Sequence, residues 1–201
     1  MANGQPTEYP VMEAGRGASP RQEARPWPSK QMTMDALENI RTRRSIRKYL
    51  DKPVPEGILQ QVLAAAMYAP SACNQQPWQF LVVDDRRLLR EVPRVHPYAT
   101  MTAEAPLAIL VCGESSLKQV PGYWVIDCST AVQNLLAAHV LGLGAVWTGA
   151  YPQQERVGGF RRLFGLPKNV TPHSLIPLGY PAEQPPQEER YRPERIHRNA
   201  W

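Results

Sequence analysis

The chain has 201 residues, of which 43% are hydrophobic, so it is long and apolar enough to bury the core of one globular domain. Its formal net charge is +5, and much of the excess lies in residues 41–52 and in the C-terminal tail. Few aromatic residues alternate with these cations, so a compact anion is a better expected partner than a nucleic acid. Apolar runs fall short of the roughly 18–20 residues of a membrane span, and no secretory signal is evident, so we expect a cytoplasmic protein without membrane contact.

Cysteine and histidine residues give no pattern for a metal site. The three cysteines are too few and too irregularly spaced for a disulfide framework or a zinc site, and we expect them to be reduced packing residues. The four histidines lie far apart without paired carboxylates, and His139 is expected to be a core histidine with a polar partner. Gly142-Leu143-Gly144 precedes a predicted strand, whereas a dinucleotide fingerprint follows one, so a Rossmann site is not expected.

Hydrophobic periodicity and turn residues predict alternating helices and strands after an N-terminal arm. Residues 1–30, rich in Pro, Gly and charge, are expected to be a disordered or draped arm, which leaves residues 31–201 for one domain. Thr33 is a candidate cap for the first helix, and Pro55 suits the first position of the second. Predicted helices cover residues 33–40, 55–69, 86–91, 123–141 and 153–164, and predicted strands cover residues 79–83, 107–112, 145–151 and 174–178. The strands are few and their connections irregular, which predicts an α+β fold.

A basic stretch at residues 41–49 contains five cations and two small hydroxyl side chains. Arginine forks match phosphate oxygens, and Ser45 adds a short donor, so the stretch is suited to an anion. Cations also favour the last turn of a helix, and from this stretch alone a solvated helix end is the more common explanation. The choice between the two depends on the rest of the chain.

A loop rich in small and amide side chains follows at residues 69–78. Asn74 and Gln76 each carry a donor and an acceptor, which suits the edge of a heterocycle such as a flavin or a pyrimidine. Turn chemistry before a strand explains the same residues equally well. The sequence offers no evident nucleophile, metal site or acid pair, which indicates that a cofactor supplies the chemistry.

Four motifs in order resemble those of the FMN-dependent nitroreductase family. They are Arg43-Arg44-Ser45-Ile46-Arg47, Ala69-Pro70-Ser71-x-x-Asn74-x-Gln76-Pro77-Trp78, Gly142-Leu143-Gly144-x-x-Trp147-x-Gly149 and Ile176-Pro177-Leu178-Gly179-Tyr180-Pro181. The resemblance covers the chain from about residue 34 onward. It implies an α+β fold with a central, mostly antiparallel sheet flanked by helices, and an intertwined homodimer with one FMN in each of two sites between the subunits.

The resemblance also implies which residues contact FMN. Arg43 and Ser45 are expected at the phosphate or ribityl chain with Arg44 beside them, and Arg47 is expected to act as an electrostatic tuner at the N1 and O2 side of the ring. The remaining expected contacts are Arg190 and Arg192 at the phosphate, Pro70, Ser71, Ala72, Asn74 and Gln76 from the partner subunit, and Trp147, Thr148 and Gly149 near N5. No metal is expected.

The activity implied by the resemblance is a ping-pong reaction. NADH or NADPH passes a hydride to flavin N5, and a nitroaromatic, quinone or similar electrophile is then reduced on the same face of the ring. Reductive dehalogenation and flavin fragmentation are same-fold alternatives. A non-enzymatic flavin-binding protein is an alternative of another class, and a nucleic-acid-binding module ranks well below these.

Overall fold

The computed structural model describes residues 35–114, 116 and 120–201. The expected arm at residues 1–30 and the expected cap Thr33 lie outside the described residues. The described helices are α1 (Ala36–Thr42), α2 (Glu56–Met67), α3 (Arg86–Val95), α4 (Trp124–Leu135) and α5 (Gln154–Phe164). The described strands are β1 (Trp78–Val83), β2 (Leu107–Glu114), β3 (Gly144–Ala145), β4 (Thr148–Gly149) and β5 (Val170–Gly179).

These strands form one sheet in which every pairing between two of the described strands is antiparallel. The order is β1-β2-β5-β3, and β4 also pairs with β5, so the last strand in sequence lies at the centre. The register places Trp78 opposite Gly113 and Leu107 opposite Leu178. The predicted α+β class and the mostly antiparallel sheet are confirmed.

Helices cover both faces of the sheet, and β2 shows how one strand serves both layers. Leu107, Ile109 and Val111 belong to a core cluster with buried residues of α2 and α4. The alternate residues Ala108, Leu110 and Cys112 belong to a second cluster with buried residues of α3 and α5. Because successive strand side chains point to opposite faces, a strand covered on both sides is apolar throughout.

Helix ends differ from the prediction where local hydrogen bonds decide them. Asp35 caps α1, since its Oδ1 accepts the Leu37 N–H at 2.8 Å and the Glu38 N–H at 3.3 Å. The predicted long helix over residues 123–141 is α-helical only in α4 and continues as a 3-10 helix over Leu136–Leu141. Gly142 ends it with a φ of 76°, a left-handed conformation that glycine adopts without strain.

The predicted strand over residues 145–151 is instead two short strands, β3 and β4, separated by Val146 and Trp147. All three cysteines are free, and Cys73 is exposed rather than packed as expected. Burial raises the pKa of the Cys112 thiol to about 12. Within the described ranges, no helix is both long and apolar enough to cross a membrane.

Candidate functional site

The basic stretch lies alongside β3, and its backbone fixes it there. Ser45 forms a parallel bridge with Ala145, and the Ile46 N–H donates to the Ala145 carbonyl at 3.0 Å. A Cβ at Gly144 would lie 2.7 Å from the Ile46 side chain, so only glycine permits this approach. The second glycine of the Gly142-Leu143-Gly144 motif therefore positions the basic stretch against the sheet.

A carboxylate from the C-terminal segment fixes the following turn. Glu183 Oε1 accepts the Arg47 N–H at 2.5 Å and the Lys48 N–H at 3.1 Å. The buried Tyr49 hydroxyl donates to the Ile46 carbonyl at 2.6 Å. The backbone of the stretch is thus well fixed, whereas the side chain of Arg47 remains exposed.

Arg43 is a half-buried cation surrounded by other cations. Burial lowers the pKa of its guanidinium, and the charges of Arg190 and Arg44 lower it further. In the part of the chain that the structure describes, no carboxylate pairs with Arg43. Arg190 itself pairs with Glu188, with 3.3 Å between Nη2 and Oε2, so Arg43 is the member of this cluster whose guanidinium is suited to phosphate. Arg192 is exposed, and its Nη1 donates to the Tyr191 carbonyl at 3.2 Å.

Most of the hydrogen-bond donors of the Arg44 side chain bind backbone carbonyls. Its Nε donates to the Pro186 carbonyl at 3.0 Å, and its Nη1 donates to the carbonyls of Arg41 and Arg43 at 2.9 and 2.8 Å. Among the described residues its Nη2 is buried without a partner. The side chain therefore joins the basic stretch to the C-terminal segment and keeps one unused donor.

His139 lies beside the same cations. Its Nε2 is 3.1 Å from Thr42 Oγ1, which confirms the expected polar partner, but the residue is half-buried rather than part of the core. Burial lowers its pKa, and the charges of Arg43 and Arg44 lower it further. A neutral imidazole at neutral pH follows from these effects.

The amide-rich loop has an unusual backbone. Cys73, Asn74 and Gln76 have φ values of 50°, 53° and 49°, in the left-handed region that residues other than glycine rarely adopt. Such conformations cost energy and are concentrated at functional sites. The Ala72 N–H donates to Asp127 Oδ1 on α4 at 3.0 Å. Asp127 is buried, so the loop is fixed from within the protein.

Side chains within this loop also bind one another. The Gln76 N–H donates to Ser71 Oγ at 2.9 Å, and Gln76 Nε2 donates to Asn74 Oδ1 at 3.1 Å. Thr130 Oγ1 lies 3.1 Å from the Pro70 carbonyl. These contacts leave the Asn74 amide nitrogen and the Gln76 amide oxygen without a hydrogen bond among the described residues. The loop therefore presents the Asn74 amide nitrogen as a free donor group and the Gln76 amide oxygen as a free acceptor.

Residues 147–149 form the third part of the site. Thr148 is buried, and its Oγ1 donates to the Leu175 carbonyl at 2.6 Å. Trp147 is 38% exposed. A Cβ at Gly149 would meet only the Tyr151 carbonyl oxygen, at 4.0 Å, so one side of this backbone is open to a ligand. The Gly149 carbonyl accepts hydrogen bonds from His96 Nε2 and Arg156 Nη1 at 2.9 and 3.0 Å.

A buried histidine lies behind this segment. The His173 ring centroid is 5.9 Å from that of Trp147 and 6.3 Å from that of Trp124. Its Nε2 is 3.2 Å from Ser129 Oγ. Burial lowers the pKa of His173 to about 4, so the ring is neutral at neutral pH. The ring is a packing and hydrogen-bonding element behind the candidate site.

One chain brings together only part of the predicted site. The basic stretch pairs with the short strand β3 through Ser45, and residues 147–149 follow β3 in sequence. The amide-rich loop is instead joined to α4, through hydrogen bonds of Pro70 and Ala72. Three residues that touch the site were missed by the sequence analysis: His96, Asp127 and Arg156. Each forms its hydrogen bond with a residue more than 6 positions away in the sequence, so no local motif identifies it.

A model of the nitroreductase family matches residues 40–108 and 89–180. The chain therefore belongs to the nitroreductase family, a family of oxidoreductase enzymes, as its four motifs predict. It is 57% identical over 169 residues to the "Putative NADH dehydrogenase/NAD(P)H nitroreductase" of Methanothermobacter thermautotrophicus, with 84% of this chain and 88% of that protein aligned.

Solved structures agree with this assignment. A crystal structure of a protein of the same name from Bacteroides thetaiotaomicron is 43% identical, with a TM-score of 0.79 over 84% of this chain and 100% of that chain. An FMN-dependent nitroreductase from Clostridium difficile is 28% identical, with a TM-score of 0.76 over 82% of this chain and 99% of that chain. The predicted nitroreductase-like fold is confirmed.

Proposed function

We propose that this protein is an FMN-dependent NAD(P)H oxidoreductase that reduces nitroaromatics, quinones or similar electrophiles. The observation that carries the proposal is the half-buried Arg43, which lies near Arg190 and Arg44 and which no described carboxylate neutralises. The Arg43 guanidinium fits the phosphate of FMN. The open side of Gly149 fits the approach of a flat ring, because a Cβ there would occupy that space. The name of the relative from Clostridium difficile supports the same cofactor.

In this proposal each end of FMN has its own residues. Arg43, Ser45, Arg190 and Arg192 bind the phosphate and ribityl chain, with Arg44 beside them. Arg47 directs its exposed side chain to the N1 and O2 edge of the ring. Trp147, Thr148 and Gly149 lie along the ring near N5, where a backbone N–H of residue 148 or 149 is a candidate donor.

The remaining contacts come from a second copy of the chain. Residues 70–76 of that copy bring Pro70, Ser71, Ala72, Asn74 and Gln76 to the flavin. The free Asn74 donor and the free Gln76 acceptor suit the polar edge of the ring. The site is therefore complete only in a homodimer.

Bound FMN supplies hydride transfer, since it accepts a hydride from NADH or NADPH and passes it to the acceptor. The protein residues position and tune rather than react. Arg47 stabilises the negative charge that reduction places on the N1 and O2 edge. Release of the oxidised nucleotide before the acceptor binds is the ping-pong order, and it predicts parallel lines in double-reciprocal plots at several acceptor concentrations.

The experiment that tests the proposal is a visible absorption spectrum of the purified protein, repeated without oxygen after addition of NADPH and then NADH. We expect a yellow protein that one or both nucleotides bleach, which also identifies the donor. A yellow protein that neither nucleotide bleaches indicates flavin binding without this activity. A colourless protein that does not take up added FMN contradicts the proposal. Product analysis with nitro, quinone and halogenated aromatic acceptors separates reduction from reductive dehalogenation.

A further inference from the structure

The Gly149 carbonyl accepts two hydrogen bonds from side chains that no sequence motif connects. His96 Nε2 lies 2.9 Å from this oxygen, and Arg156 Nη1 lies 3.0 Å from it. A carbonyl oxygen has two lone pairs, so both are used. His96 follows α3 and Arg156 belongs to α5, so two separate helices converge on one peptide group.

Both donors are themselves fixed. His96 is 1% exposed, and its ring centroid lies 6.1 Å from that of Phe160. The Arg156 guanidinium lies 5.2 Å above the Tyr98 ring. Because a carbonyl can only accept, His96 must carry its proton on Nε2. Burial, and next the charge of Arg156, lower the pKa of His96, which agrees with a neutral ring.

The next two peptide groups are fixed from the other side. The N–H groups of Ala150 and Tyr151 both donate to the His173 carbonyl, at 2.9 and 3.0 Å. The backbone over residues 149–151 is thus held between side-chain donors and a strand carbonyl. The side of Gly149 on which a Cβ would meet only the Tyr151 carbonyl oxygen, among the described residues, is open to a ligand.

We propose that His96 and Arg156 are positioning residues for the flavin, and that the charge of Arg156 raises the reduction potential of the flavin beside Gly149. This inference rests on the proposed function. Reduction by a hydride adds two electrons and one proton to FMN and so adds one negative charge. A cation fixed on the adjacent peptide group favours that reduced form. Arg156 thereby adds to the effect proposed for Arg47.

The charge is tested by the midpoint potential of the FMN-loaded protein. Arg156→Gln removes the charge but keeps an N–H donor, and Arg156→Lys keeps the charge. Arg161→Gln is the matched control, since Arg161 also lies on α5 and its Nη1 also donates to a carbonyl, that of Pro167, at 2.8 Å. We expect Arg156→Gln to lower the midpoint potential by about 30 mV, which for a two-electron couple is about a tenfold shift toward the oxidised flavin. We expect Arg156→Lys and Arg161→Gln to resemble the wild type.

The positioning is tested by NMR on the loaded protein, with glycine labelled at its carbonyl carbon and alanine at its nitrogen. A labelled carbonyl carbon is then bonded to a labelled nitrogen only where alanine follows glycine. The chain has three such Gly-Ala dipeptides, including Gly144-Ala145 and Gly149-Ala150. His96→Leu is expected to move the carbonyl signal of Gly149 and to leave that of Gly144 in place. His96→Gln provides a side-chain donor again and is expected to return the Gly149 signal toward its wild-type position. An unchanged potential in Arg156→Gln, or an unmoved signal in His96→Leu, overturns the inference while wild-type FMN binding and reduction still stand. If the wild type does not bind FMN, the proposed function itself fails.

Discussion

At the scale of single residues, the feature that most needs an explanation is a half-buried arginine that pairs with no carboxylate among the described residues. Arg43 is half-buried, and its pKa is lowered by burial and by the neighbouring charges of Arg190 and Arg44. Burial and repulsion from these cations both oppose the charged form of Arg43 in the folded chain. The FMN phosphate of the proposed site would offset this repulsion, and binding and stability would then be linked at Arg43.

Arg43→Ala is expected to weaken FMN binding by about tenfold to a hundredfold, because charge-assisted hydrogen bonds to the phosphate are lost. The measurement is titration of apoprotein with FMN, followed by flavin fluorescence. Arg41→Ala is the control, since Arg41 is an exposed arginine of the same stretch for which no phosphate contact is proposed. Equal affinity in Arg43→Ala and the wild type contradicts the proposed phosphate contact.

His173 predicts how stability depends on pH. Its folded pKa of about 4 lies below its ordinary value of 6.5, so the unfolded chain binds more protons between these values. Stability is therefore lost as the pH falls through this window. Between about pH 7 and about pH 5 we expect His173 to account for a loss of about 2 kcal/mol, measured by urea unfolding.

Two variants isolate this contribution. His173→Gln removes the titrating group and should flatten the pH dependence, although the lowered pKa values of His96 and His139 leave part of the slope. His197→Gln is the control, because His197 is exposed. If the free energy of unfolding falls equally steeply with pH in His173→Gln and in the wild type, burial of the His173 ring is not the cause of the pH dependence.

At the scale of elements, α5 packs closely against the end of α3 at Gly159. A Cβ at Gly159 would lie 2.5 Å from Val95 Cγ1. Valine is stiff about its first side-chain torsion, so it cannot turn away freely. This packing also supports His96, which directly follows Val95, and Arg156, which lies one turn before Gly159.

Gly159→Ala is therefore expected to destabilise the protein by about 1–3 kcal/mol through overpacking, measured by urea unfolding. Gly158→Ala is the matched control on the same helix. Its Cβ would meet only the flexible Arg162 side chain at 3.4 Å, so we expect a gain of up to about 1 kcal/mol from helix propensity. Val95→Ala in the Gly159→Ala background should restore part of the lost free energy of unfolding. If the effects of the two changes simply add, this contact is not the cause of the loss.

Sequence periodicity predicted α5 closely, whereas α3 extends four residues beyond its predicted end at residue 91. Apolar spacing and the stop at Gly165 identify α5 to within a residue. Periodicity cannot show that β5 lies between β2 and β3, because strand order depends on contacts distant in sequence. The same limit applies to the site. Motifs identified Arg43 and Gly149 because their neighbours are distinctive, whereas Asp127 and Arg156 act through the fold and have no local signature.

At the scale of the whole molecule, one chain leaves apolar surface uncovered. Leu37 and Ile40 on α1 are 59% and 62% exposed, and Asn39 is the buried residue of that helix. A helix of 7 residues is too short to be stable without packing of an apolar face. The tail adds the exposed Tyr191 and Trp201. These surfaces support the proposed homodimer.

The double variant Leu37→Ser and Ile40→Ser is expected to shift the protein from dimer to monomer in sedimentation velocity, because it removes apolar surface from the proposed interface. Since the proposed site takes residues 70–76 from the second copy, we expect FMN to be lost together with the dimer. Leu50→Ser is the control, because Leu50 is 48% exposed and lies outside α1. A wild-type monomer that retains FMN would refute the shared site, whereas a double variant that remains dimeric with FMN bound would place the interface elsewhere on the chain.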